Sequence, residues 1–140
     1  MTDSMIKPQT LQDVSLASDS LESFGRSLRD WIHAIGRGAD DIATVVQIAV
    51  SEEPPLLAQK FGSGEIADVY LAAYADWLCE QCQLDLPDWT WDPENRSTLE
   101  IPWFADNARA SLLVLSPAAF RVRNLFTIPE WPFGKRKFAV

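Results

Sequence analysis

Apolar residues recur at helical spacing from Leu21 to Leu84, and the period then disappears. Leu21, Phe24, Leu28, Trp31, Ile32 and Ile35 fall on one face of a helix. Ser18, Asp19 and Ser20 offer N-caps for it, and Gly36 and Gly38 stop it. Asp40 is the expected cap of a second helix with Ile42, Val45, Val46, Ala49 and Val50 on its apolar side. Ser51-Glu52-Glu53-Pro54-Pro55 reads as a fresh helix start, with acids beside the positive end and prolines in the first turn. Leu56, Leu57 and Phe61 would then make a short third helix, ended by Gly62 and Gly64. The strongest pattern spans Glu65 to Cys82, with no Gly or Pro inside. Ile66, Val69, Tyr70, Ala73, Trp77 and Leu78 form its stripe, and Ala72, Ala73 and Ala75 permit close approach of neighbours. That combination predicts the centre of a bundle.

From residue 85 to 106 no period survives, and proline sets the pattern instead. Leu86-Pro87-Asp88-Trp89 and Ile101-Pro102-Trp103-Phe104 each place large rings beside a fixed φ. A third cluster, Ser116-Pro117-Ala118-Ala119-Phe120-Arg121-Val122-Arg123-Asn124-Leu125-Phe126, follows a short helical stretch from about Asn107 to Leu115. So long an aperiodic segment in a small domain has a role, and its rings predict that it packs on the helices. Leu125-Phe126-Thr127-Ile128 has the composition of a strand, with no second strong strand in view. The expected fold is all-α: a compact bundle of four to six helices with a long ordered aromatic, proline-rich loop and minimal strand. Residues 1–17 read as a flexible leader with one short turn near Leu11 to Leu16. Residues 18–128 read as a single helical domain, and 129–140 as a basic aromatic tail.

The chain has 140 residues, six Trp, seven Phe and a net charge of -8. It is long enough for one real core. The acidic balance argues against general nucleic-acid binding, which needs clustered cations. Charge is uneven: residues 121–140 hold five Lys/Arg against one acid, whereas the first 120 hold seven against nineteen. The basic tail Gly134-Lys135-Arg136-Lys137 falls short of a nucleic-acid patch. No apolar run approaches the ~20 residues that span a bilayer. The Met1-Thr2-Asp3-Ser4 start lacks the features of a signal peptide, so the cytoplasm is the expected compartment.

No catalytic set accompanies the aromatic clusters. Cys79-Glu80-Gln81-Cys82 is a single CxxC late in a helix, where the dipole raises thiol pKa and where the other two zinc ligands are missing. His33 has no second histidine to work with. Asp40 and Asp41, and Glu52 and Glu53, sit where helix starts are expected, and capping accounts for them. Asp85, Asp88, Asp92 and Glu94 lack calcium-loop spacing. Gly62-Ser63-Gly64 lacks the lysine and the preceding strand of a phosphate loop. Trp89, Trp91, Trp103 and Trp131 either bury the long loop or offer a partner-binding face, and both roles are compatible.

The ordered series Pro54-Pro55-Leu56-Leu57, Ala67-Asp68-Val69-Tyr70-Leu71-Ala72-Ala73-Tyr74-Ala75-Asp76-Trp77-Leu78, Leu86-Pro87-Asp88-Trp89, Pro102-Trp103-Phe104 and Ser116 to Phe126 resembles a group of small bacterial helical proteins. Some of that group resemble the antitoxin-like partner of nucleotidyltransferase toxins of the abortive-infection class. The resemblance covers about residues 20–128. It implies a non-enzymatic interaction protein without cofactor or metal, whose partner is a nucleotidyltransferase-like toxin. The segment before the strongest helix lacks the helix-turn-helix of DNA-binding members. Trp89, Trp103, Phe104, Phe120, Arg121 and Arg123 are the expected partner surface or its support. Two other readings stand beside it: a small ligand-binding or enzymatic domain using the acidic aromatic loop, and a DNA-binding regulator using the basic tail. The pattern leaves oligomeric state open.

Overall fold

A computed structural model of the chain describes residues 10–36 and 41–133. The fold is all-α and compact, with an aromatic cluster. Its helices are α1 (Leu11–Leu16), α2 (Leu21–Ile35), α3 (Ile42–Val50), α4 (Gly64–Gln81), α5 (Arg109–Leu115) and α6 (Ala118–Arg121), with a 3-10 turn at Asp88–Trp91. Two two-residue strands, β1 (Trp103–Phe104) and β2 (Leu125–Phe126), complete it.

The helix starts follow side-chain chemistry. Ser20 Oγ accepts from the Ser23 amide while Ser23 Oγ accepts from the Ser20 amide, both at 3.0 Å. These reciprocal bonds satisfy donors that the first turn of α2 leaves free. Thr10 and Asp13 close the same kind of box on α1. Asp41, one residue later than expected, caps α3 by accepting from Thr44 N; Asp40 lies outside the described residues. The expected leader is different as well. Thr10 onward belongs to the body, and Leu11 and Val14 are fully buried against α2 and α3.

α4 is the hub. From Ala67 to Cys79 every residue but Tyr70 is buried, on all sides of the helix. A helix apolar all round belongs in a core. α2, α3, α6 and the 3-10 turn all pack on it. Its start is fixed by Gly64, where a Cβ would collide with the Leu57 carbonyl. That approach needs glycine.

The expected third helix over Ser51 to Phe61 does not form. Residues 53–57 run irregularly, and the Leu57 and Ala58 amides donate to Asp68 of α4 at 2.6 and 3.0 Å. A carboxylate eleven residues away competes with the local helix and wins, because Pro54 and Pro55 supply no donors for one. The strand-like 125–128 stretch also has a partner. β2 lies parallel to β1 in the register Trp103↔Leu125 and Phe104↔Phe126, with α5 and α6 forming the crossover that parallel pairing requires. The turn into β2 passes through Asn124 at φ 66°, and its side-chain amide donates to the Leu99 carbonyl at 3.1 Å. Asparagine tolerates that left-handed geometry better than most residues.

Candidate functional site

Two arginines with no accessible surface hold the aperiodic half of the chain to α4. Arg96 donates from Nη1 to the Asp68 carbonyl at 3.0 Å, from Nη2 to the Pro54 carbonyl, and from Nε to Glu53 at 3.2 Å. Its guanidinium lies 4.9 Å from the Trp89 ring centre. Arg123 donates to Asp76 at 2.9 Å, to the Ala119 carbonyl at 2.8 Å, to the Thr90 carbonyl at 2.7 Å, and from Nε to the Arg96 carbonyl at 3.1 Å. Its guanidinium sits 3.8 Å over Trp91. The fork of five donors suits arginine to such multiple acceptance. Burial pulls both arginine pKa values down; Asp68 and Glu53 oppose this for Arg96, and Asp76 does so for Arg123. Burial raises the Asp68 pKa, against the two backbone amides and Arg96 that favour its charge.

A chain of rings runs along the other side of α4. Tyr70 meets Phe24, Phe120 and Trp103 edge-on, with centroids 5.9, 5.2 and 6.4 Å away. Tyr74 meets Trp31 and donates its hydroxyl to the Glu130 carbonyl at 2.7 Å. Trp77 meets Trp131, which meets Phe133. The tail is therefore packed on the bundle as far as Phe133; Lys135, Arg136 and Lys137 lie outside the described residues.

The residues expected to form or support a partner surface divide. Trp89 is buried, with its indole N–H donating to the Val50 carbonyl at 2.9 Å. Phe120 and Arg123 are wholly enclosed, so no partner touches their side chains. Trp103 and Phe104 are half-buried, and Phe104 stacks on Phe126 at 4.8 Å with Arg109 above it at 5.1 Å. Arg121 alone of the six faces solvent. Tyr70 brings Trp103 and Phe120 together, while Trp89 and Arg123 belong to the arginine network.

The exposed apolar surface nearby is aliphatic. α5 buries Leu112 and turns Leu113, Val114 and Leu115 outward, with 48, 73 and 60% of their surface exposed. Val122 and Ile101 are exposed on the neighbouring segments. The helical period of residues 107–115 was readable, but its outward face was not, because one turn of apolar residues does not say which side meets the core. Arg96, Asp68 and Asp76 also escaped the sequence reading. The signal for the two acids is a pair eight apart in the otherwise apolar stretch 67–79 of α4.

Cys79 is buried at the end of α4, and burial pushes its thiol up to about 11. Asp92 accepts from the Glu94 amide and the Asn95 side chain, and the Asn95 bond leads in lowering its pKa. His33 Nε2 lies 3.8 Å from Glu130. Among the described residues, no group of three His, Cys, Asp or Glu is placed to hold a metal ion, and no helix is long and apolar enough to cross a membrane. No family model matches the chain, and no curated protein or solved structure matches it either.

Proposed function

We propose that this protein is an interaction component, an antitoxin-like or accessory partner that neutralises a bacterial toxin-like enzyme by binding to it and performs no turnover itself. The observation that carries this reading is the outward face of α5. Three consecutive aliphatic side chains there are about half or more exposed, on a helix braced by β2. Apolar patches of this kind mark contact surfaces. Arg121 supplies a cation beside α5, and the acidic body complements a basic nucleotide or RNA cleft on the partner.

The test is co-purification with the product of the adjacent gene, together with rescue of growth when that product is expressed. Val114→Glu places a charge in the contact and is expected to abolish both, while shifting stability by no more than about 0.5 kcal/mol. Rescue unchanged by Val114→Glu and by Leu115→Glu would remove α5 from the mechanism. A protein that binds nothing encoded beside it would remove the reading itself.

A further inference from the structure

A groove of about 300 Å³ opens between α2, the first half of α4, and the chain around β1 and β2. That is room for about ten waters at ~30 Å³ each, at the lower end of small-ligand sites. Phe24, Leu28, Tyr70, Trp103 and Ile128 wall it. Gly25 stands in the same wall, in the interior of α2, and a Cβ built there would meet nothing within 4 Å. A glycine inside a helix costs stability relative to alanine, and close approach of another molecule is one reason to keep it. No contact within the described residues supplies that reason, and the notch opens into the groove.

The polar groups around the groove are unequal. Tyr70 and Thr127 are hydrogen-bonded through their side chains. Glu130 has His33 at 3.8 Å. Arg29 is exposed on the rim and makes no ion pair or hydrogen bond with any described residue. We infer that this groove binds a small aromatic or aliphatic carboxylic acid, its apolar body against Gly25 and its carboxylate on Arg29. This inference is independent of the α5 surface and of any protein partner.

The experiment titrates the isotope-labelled full chain with phenylpropanoate, its amide and the corresponding propylamine, following amide and indole resonances. Saturable shifts at Gly25, Tyr70 and Trp103 are expected, with the acid bound about tenfold tighter than the amide and the amine weakest. Arg29→Gln erases the preference for the acid and leaves the amide unchanged. Gly25→Leu fills the notch and abolishes binding of all three while the thermal midpoint holds or rises. Shifts that do not saturate or that map elsewhere overturn the site. Retained binding in folded Gly25→Leu also overturns it. An acid preference that survives Arg29→Gln, or an amine that binds tighter than the acid, overturns the carboxylate assignment. The Arg29→Gln arm stands by itself because that side chain supports no described contact.

Discussion

Residues 11–81 and residues 85–128 are two solutions to the same problem. The first segment buries apolar faces of helices whose ends are closed by neighbours in sequence: Thr10, Ser20 and Asp41 reach only three residues ahead. The second has little regular structure of its own, and its backbone carbonyls find donors far away. Arg123 donates to the Thr90 and Arg96 carbonyls, 33 and 27 residues away, and to the nearer Ala119 carbonyl, while Arg96 donates across to the Pro54 and Asp68 carbonyls of the first segment. A buried irregular chain must satisfy every polar group, and here two guanidiniums do much of that work. The helical half tolerates losses in proportion to area. The wrapped half depends on single side chains.

The sharpest way to break that contrast is Arg123→Met. It strands the Asp76 carboxylate and three carbonyls in the interior and is expected to cost about 3–5 kcal/mol in denaturant unfolding. Adding Asp76→Leu should recover part of that loss, because an apolar pair is better than an orphaned charge. If Arg123→Met costs no more than an average substitution, the distinction between the halves fails.

Asp68→Ala comes next. It frees the Leu57 and Ala58 amides and removes a charge beside Arg96, for an expected loss of about 2–4 kcal/mol by the same measurement. A smaller loss would show that water reaches residues 57 and 58.

Gly25→Ala tests the helical half with the opposite sign. Its Cβ meets open space, so the chain should gain about 0.5–1 kcal/mol in unfolding free energy. The change lies on α2, which supplies no hydrogen-bond partner to either buried arginine, so it should add to Arg123→Met without coupling.

The two tyrosines have the smallest effect at neutral pH. Burial raises the pKa of both Tyr70 and Tyr74; the Thr127 hydrogen bond opposes it at Tyr70, whereas the Tyr70 and Glu130 charges add to it at Tyr74. Their unfolded value is near 10. The folded chain thus holds protons that the unfolded chain releases. Stability from this source is complete below pH ~10 and falls as pH climbs toward the higher folded values. Ultraviolet titration should show the Tyr74 phenolate only when the protein unfolds, and two phenolates in the native protein would contradict the burial of that ring.

Legibility in the sequence follows the same division. α4 was expected from Glu65 to Cys82 and spans Gly64 to Gln81, because its period and the flanking glycines are local signals. Ser20 was among the expected caps of α2 for the same reason. The third helix was misjudged because Pro54, Pro55 and two glutamates mimic a helix start, while the deciding partner, Asp68, sits elsewhere. Leu125 and Phe126 looked strand-like without a mate, since Trp103 and Phe104 carry no alternation to reveal them. Arg123, expected in a partner surface or its support, is wholly enclosed and bonded to Asp76. Arg121, two residues earlier, points outward. Alternation predicts that two such residues share a face, but α6 and the turn after it rotate them apart. The exposure of Val114 is not legible in the sequence, because it depends on what α5 packs against.

The separation between Asp76 and Arg123 has a consequence for synthesis. The arginine lies 47 residues downstream of its acid. At translation speeds of about 5–20 residues per second, the acid waits about 2–10 s before its counter-ion even enters the growing polypeptide. Until then α4 carries a carboxylate whose native surroundings are dry, so the nascent chain cannot close around it. The molecule is completed from its last third backwards. A ribosome that stops at residue 115 would release a chain whose α4 lacks both Arg123 and its packing against α6.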